Sequence, residues 1–162
     1  MIDRVINLVE QRVIVPLLAF LLAFITIGVF TQVVLRYAFS TTFLWSEELS
    51  LYAFIWCVFL GAVVGVQRHI HLGFELLPER LPPRLAAIQK LVVDLAILAV
   101  ALLLLVEGIN FAKLSARTLS PALGISLLIP TIVIPVSGAL MLVCVLRDLA
   151  RDLLQIFPRR SD

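Results

Sequence analysis

The sequence predicts an all-α integral membrane protein with four transmembrane helices, a short amphipathic surface segment between the second and third, and both termini in the cytoplasm. Of its 162 residues, 62% are hydrophobic, more than the roughly half that is typical of a soluble domain. Charged residues make up only 15% and gather at the ends of long apolar runs, as a bilayer requires. Lys and Arg are also unequally shared among the loops. We therefore expect a single membrane domain over residues 1–162.

The first predicted span covers residues 13–35 and the second covers residues 47–66. Each is close to the roughly 20 apolar residues that cross the hydrocarbon core as a helix. The first run is longer than the roughly 7–15 apolar residues of a secretory signal, so it is predicted to be retained. Ser46 is a predicted N-cap of the second helix, with Glu47 and Glu48 in the first turn, where carboxylates favour the positive end of the helix.

The third predicted span covers residues 88–106 and the fourth covers residues 121–146. Charged residues and prolines alternate with apolar ones between the second and third spans, which predicts a segment along the membrane surface. Glu107 is expected in the connector after the third span. Ser120 and Pro121 have the chemistry of an N-cap and a first-turn proline, so they predict the start of the fourth helix.

The positions of the basic residues predict the orientation of the chain. Ten of the 13 Lys and Arg residues lie before the first span, in the middle segment at residues 67–90, or after span four. Arg36, Lys113 and Arg117 are the three in the other two connectors. Because Lys and Arg accumulate on the cytoplasmic side of short loops, both termini and the middle segment are predicted to be cytoplasmic.

Small side chains recur every four residues in the second span, at Ala53, Cys57, Gly61 and Gly65. Residues at this spacing share one helix face, and small residues there allow another helix to approach closely. Two interpretations follow. The strip can pack inside the four-helix unit, or it can dock onto a separate membrane subunit.

Charged and aromatic residues gather around the first connector, at Arg36, Tyr37, Trp45, Glu47 and Glu48. Arg36 is expected to pair with Glu47 or Glu48. One interpretation is an interfacial cap with an aromatic belt, which is typical of membrane proteins. The other is a contact surface for a partner, because two acids, an arginine and two aromatic residues exceed what anchoring requires.

Asp94 is the only carboxylate that the predicted boundaries place clearly within a span, so it is a candidate for a proton or ion relay. Lys90 lies one turn earlier and offers a simpler explanation, an ion pair near the cytoplasmic end. His69 and His71 lack the further ligands of a metal site. Catalytic and nucleotide-binding motifs are missing from the sequence, so neither an enzyme nor a cofactor is expected.

Several segments together resemble the small membrane subunit of TRAP (tripartite ATP-independent periplasmic) transporters, the DctQ type. The resemblance is strongest over residues 32–77 and continues more weakly to residue 135. The segments that carry it are Gln-Val-Val-Leu-Arg-Tyr-Ala-Phe at 32–39, Trp-Ser-Glu-Glu-Leu at 45–49, Phe54, Trp56, Phe-Leu-Gly-Ala at 59–62, Arg-His-Ile-His-Leu-Gly at 68–73, Leu-Pro at 81–82, Ser-Pro-Ala-Leu at 120–123 and Ile-Pro at 134–135.

The resemblance implies a sodium-coupled symport system in the bacterial inner membrane. In such a system a periplasmic solute-binding protein transiently delivers an organic acid to a large membrane subunit, the DctM type. The large subunit would carry the substrate and sodium sites, and this chain would be its scaffold in a heterodimer surrounded by lipid, with no role for nucleic acid. The residues on which the family pattern falls, with assembly or structural roles implied and no substrate contact, are Arg36, Tyr37, Trp45, Glu47, Glu48, Trp56, Gly61, Arg68 and His71.

Three alternatives belong to other classes or families. An autonomous, homodimeric small transporter would need a membrane-embedded acid, for which Asp94 is the candidate. A thiol-to-quinone redox enzyme would need paired outer cysteines, whereas Cys57 and Cys144 are isolated within apolar runs. The small subunit of a tricarboxylate system has a similar architecture, but the Arg-Tyr and Trp-Ser-Glu-Glu segments favour the TRAP interpretation.

Overall fold

The computed structural model describes residues 8, 10–41, 43–68 and 83–156, and most of these are helical. Four helices are long and apolar enough to cross a membrane. In the part of the chain that is described, extended pairing is limited to an isolated bridge between Leu119 and Ser126. The predicted all-α architecture with four membrane-spanning helices is therefore confirmed.

The first two long helices are α1 (Val15–Phe39), which follows a π-helical turn at Glu10–Ile14, and α2 (Leu44–Gln67). Ser40 ends α1 in the left-handed conformation, and its backbone N–H donates to the Leu35 carbonyl. The predicted N-cap at Ser46 is wrong, because α2 already begins at Leu44. The Ser46 N–H donates to the Phe43 carbonyl at 3.0 Å, so the serine lies in the first turn.

Helix α3 (Pro83–Ser115) is longer than the apolar run that predicted it. Its first residues fall in the predicted surface segment, and residues 69–82 of that segment lie outside the described part of the chain. The helix continues for more than two turns beyond residue 106, where the predicted third span ends. Glu107 is therefore a helical residue inside a candidate span and not part of a connector.

The last helices are a single turn, α4 (Leu128–Thr131), and the long α5 (Val133–Ile156). The predicted helix start at Ser120 and Pro121 is wrong. Residues 116–127 instead form a compact loop closed by two backbone hydrogen bonds, from the Ser120 N–H to the Ile125 carbonyl at 2.8 Å and from the Leu127 N–H to the Thr118 carbonyl at 3.0 Å. Gly124 has a φ of +67° in this loop, a conformation that glycine adopts without strain.

The helices pack in the spatial order α1, α2, α5, α3. Helix α5 contacts both α2 and α3, which have little contact with each other, while α1 packs chiefly on α2 and has no buried residue of its own. The buried apolar cluster draws on the turn before α1 and on α2, α3 and α5: Ile14, Leu60, Val63, Ala101, Val133 and Met141. Helix α5 is consequently the central element of the described bundle.

Candidate functional site

The end of α1 and the start of α2 form the ion pair that the sequence predicted. Arg36 Nη2 lies 3.0 Å from Glu47 Oε1. Both side chains are about half-exposed, and such a pair contributes about 0–1 kcal/mol to stability because water screens it. Tyr37 is 83% exposed and Trp45 is 50% exposed, so both aromatic residues point away from the bundle. Their side chains are free to contact the membrane interface or a partner.

Glu48 does not join this ion pair. Its carboxylate accepts hydrogen bonds from the Ser120 hydroxyl, from the Ala122 N–H at 3.1 Å and from the Leu123 N–H at 3.3 Å. The Tyr52 hydroxyl lies 3.4 Å from the same carboxylate, one turn along α2. One carboxylate therefore fixes the loop before α4 to the start of α2. The sequence analysis assigned Ser120 to a helix cap, but its hydroxyl donates to the Glu48 carboxylate instead.

Trp56 makes a second contact between α2 and the chain around α4. Its indole N–H donates to the Ile129 carbonyl at 3.1 Å. This carbonyl lies one turn before Val133, where the helix is interrupted between α4 and α5. Pro130 also removes a donor, and the Ser126 carbonyl one turn earlier instead accepts the Ile129 N–H at 3.2 Å. Helix breaks within membranes are tolerated where such partners replace the lost hydrogen bonds.

The small-residue strip on α2 divides into two parts. Ala53 is buried, and the Cys57 Sγ lies 3.8 Å from the Leu18 carbonyl, so this half faces α1. A Cβ built on Gly61 or Gly65 meets nothing within 4 Å in the described part of the chain. Packing against the described helices therefore does not account for the two glycines.

Two glycines that the sequence analysis missed mediate the closest helix contact. A Cβ on Gly138 would lie 2.7 Å from the Leu105 backbone nitrogen, and one on Gly108 would lie 2.9 Å from that of Pro135. Each glycine lets α3 and α5 approach at backbone distance. Neither belongs to a GxxxG pattern, but Gly108 and Ala112 share the buried face of α3, and that spacing is the signal that could have revealed it.

At the opposite end of the bundle, Arg68 forms an ion pair that the sequence analysis also missed. Arg68 Nε lies 2.6 Å from Glu10 Oε1, and the Glu10 side chain is 7% exposed against 48% for Arg68. This pair joins the turn before α1 to the end of α2. Asp94 on α3 is half-buried and has an interaction partner, so nothing marks it as an isolated acid. His71 lies outside the described residues.

Across the described ranges, no cluster of three or more His, Cys, Asp or Glu side chains could hold a metal ion. The polar contacts between elements join helices to each other or to the loop before α4, and the remaining exposed surface of the long helices is mostly apolar.

Four bilayer-length helices define this chain as a multi-pass membrane protein. A family profile, "Tripartite ATP-independent periplasmic transporters, DctQ component", matches residues 25–155. The chain belongs to this family, as the resemblance predicted.

Curated relatives agree with this assignment. A putative TRAP transporter small permease protein of Haemophilus influenzae is 38% identical over 107 residues, which cover 65% of each chain. The C4-dicarboxylate TRAP transporter small permease protein DctQ of Vibrio cholerae is 37% identical over 59% of this chain and 41% of its own length. The matches thus span less than two thirds of these two relatives. The isethionate TRAP transporter permease protein DctMQ of Oleidesulfovibrio alaskensis is 34% identical over 65% of this chain and 17% of its own length.

Proposed function

We propose that this chain is the small permease subunit of a TRAP transporter and scaffolds a large, DctM-type membrane subunit. Its membership of the DctQ family carries this proposal. The relative named DctMQ, of which this chain matches 17%, supports a close association between the two kinds of subunit. The open positions at Gly61 and Gly65 supply a surface on which a partner helix could approach the α2 backbone.

The transporter is proposed to take up an organic acid with a cation gradient, sodium in particular, after a periplasmic binding protein delivers it. The names of relatives mention a C4-dicarboxylate, isethionate and sialic acid, all of which are organic anions at neutral pH. In this proposal the chain binds no substrate itself. The region around Arg36, Glu47 and Trp45 would help to receive the binding protein.

The orientation and the membrane are part of the same proposal. The distribution of Lys and Arg supports cytoplasmic termini, with the Arg36–Glu47 connector on the periplasmic side of the inner membrane. Labelling of single introduced cysteines in intact cells tests this arrangement. A cysteine at Ser40 should react with a membrane-impermeant maleimide, and one at Ser161 should react only after the cells are opened. The reverse pattern would overturn the orientation.

The scaffold role is tested by co-purification and uptake. The tagged chain is extracted in mild detergent, the proteins that co-purify are identified by mass spectrometry, and uptake of candidate organic acids is measured in parallel. Gly61→Leu fills the open strip and should lower both the recovery of the large subunit and the uptake. Ala62→Leu is the matched control, because Ala62 is exposed on a different face of the same turn. Normal recovery together with normal uptake for Gly61→Leu would remove the strip from the assembly surface.

A further inference from the structure

An open groove of about 560 Å³ lies where α2 and α3 diverge over α5. Phe59 of α2 forms one wall, Leu103 and Phe111 of α3 form the other, and Ile134 of α5 lies at its base. Gly108 also borders the groove at the point where α3 approaches α5 most closely. The groove exists because α2 and α3 each pack on α5 and hardly on each other.

The α3 wall of the groove carries two polar side chains among apolar ones. Leu103, Glu107, Asn110 and Leu114 follow each other at intervals of four, three and four residues, which places them along one helix face. All four are exposed. Within the described part of the chain, the side chains of Glu107 and Asn110 make no hydrogen bond or ion pair. We call this face, formed by the four residues, the polar seam.

Glu107 of the polar seam lies inside the candidate span Leu91–Ser115. It is eight residues from the Ser115 end, or about 12 Å at a rise of about 1.5 Å per residue. At that depth a carboxylate without a partner is unfavourable in hydrocarbon, and such acids characteristically face protein or a water-filled cavity. An apolar lipid chain over the groove would leave the carboxylate without a partner.

We infer that the polar seam is the docking line for one transmembrane helix of the large subunit, and that this helix presents a cationic side chain to Glu107. The inference rests on the proposed function and specifies the surface and its chemistry. The 4-3-4 spacing is that of a helix-packing seam, and polar residues within such a seam fix the register between membrane helices. The partner side chain is inferred to be cationic because its charge would complement that of the Glu107 carboxylate. The Asn110 amide would form a hydrogen bond to the same partner helix.

Photocrosslinking in membranes that contain the complete transporter tests the docking line. The crosslinking amino acid p-benzoylphenylalanine is introduced singly at Leu103 or Leu114, the two apolar positions of the polar seam. The matched controls are Leu102 and Ile109, which are exposed on a different, apolar face of α3. We expect crosslinks to the large subunit from the seam positions, at least fivefold more than from the control positions.

Substitution of Glu107 tests whether a cationic side chain of the partner faces this carboxylate. If a cation of the partner faces it, Glu107→Leu leaves that cation unpaired and should lower recovery of the large subunit at least fivefold, with a smaller loss for Glu107→Asp. If Glu107 faces lipid, Glu107→Leu removes an unfavourable charge and recovery should not fall. Size-exclusion chromatography of the isolated chain checks that each variant remains folded and monodisperse.

The outcomes separate this inference from the proposed function. Crosslinks from the seam to a second copy of this chain would overturn the inference. A large subunit that co-purifies normally but is never crosslinked from the seam, or that is unaffected by Glu107→Leu, would overturn it while the scaffold role stands. Failure to recover any large subunit with the unmodified chain would overturn both.

Discussion

Replacement of Gly138 by Ala tests the close approach of α3 and α5. The added Cβ would lie 2.7 Å from the Leu105 nitrogen and 3.0 Å from the Leu104 carbonyl carbon, whereas ordinary contact begins at 3.4 Å. Both atoms belong to the backbone of α3 and cannot rotate away. The two helices must therefore separate locally by about 0.7 Å, a displacement that weakens the neighbouring dispersion contacts by about a quarter to a half.

The expected loss of stability follows from this separation. Inserting a methyl group into a well-packed site costs about 1–3 kcal/mol, and we expect Gly138→Ala to fall in the upper part of this range because the obstacle is backbone. Gly108→Ala, which meets the Pro135 nitrogen at 2.9 Å, should cost about as much. The double variant should cost less than the sum, because one separation of the helices relieves both contacts.

The assay is reversible unfolding of the purified chain in mixed micelles, followed by far-ultraviolet circular dichroism. Gly61→Ala and Gly65→Ala are matched controls, because the same methyl group meets nothing within 4 Å at either site. Each control should be neutral or gain up to about 1 kcal/mol, since alanine favours a helix over glycine. If Gly138→Ala were as stable as the two controls, the close approach of α3 and α5 would be refuted.

Three further predictions concern the polar contacts. Glu48→Ala removes the shared acceptor of the loop at residues 120–123, so amide hydrogen exchange at Ala122 and Leu123 should accelerate. Trp56→Phe removes the indole donor and leaves the Ile129 carbonyl of α4 without its partner, which should cost about 1 kcal/mol in the same unfolding assay. Arg68→Ala leaves the Glu10 carboxylate buried and unpaired, so it should cost about 1–2 kcal/mol, while Arg68→Lys should recover part of that loss.

Each of these predictions has a neighbouring control. Glu47→Ala removes the adjacent carboxylate, whose partner is Arg36, so exchange in the loop should be unchanged. Trp45→Phe alters the exposed tryptophan and should leave stability within about 0.5 kcal/mol. Equal effects for Glu47→Ala and Glu48→Ala, or for the two tryptophan variants, would contradict the assigned contacts. An Arg68→Ala protein as stable as the unmodified chain would contradict the burial of Glu10.

The fold could be predicted because the bilayer requires long apolar helices, and the apolar runs that form them are visible in the sequence. Helix ends were harder to predict, because a helix can continue past its apolar run. The predicted third span ends at residue 106, whereas the backbone of α3 stays helical to Ser115. Ser120 and Pro121 have suitable chemistry for a helix start, but the Glu48 carboxylate, more than seventy residues away in sequence, holds that serine in a loop instead.

The contacts between helices were only partly predictable. Sequence proximity predicted that Arg36 would pair with one of two adjacent glutamates, but the choice of Glu47 depends on which of them faces α1 once α2 has formed. The GxxxG pattern predicted a close helix contact at Gly61, where the described part of the chain leaves open space. It did not include Gly108 and Gly138, which pack closely against a neighbouring helix. The atoms that surround a glycine depend on how the helices are arranged. The spacing of glycines along one helix does not specify that arrangement.

The central position of α5 also determines when the bundle can be completed during biosynthesis. Helices α1, α2 and α3 leave the ribosome before α5, yet α3 has its main partner in α5 and little contact with α2. A nascent chain that ends before α5 therefore exposes the small-residue face around Ala101 and Gly108 to lipid or to chaperones. Insertion of α5 between two helices already in the membrane is the step that completes the native arrangement.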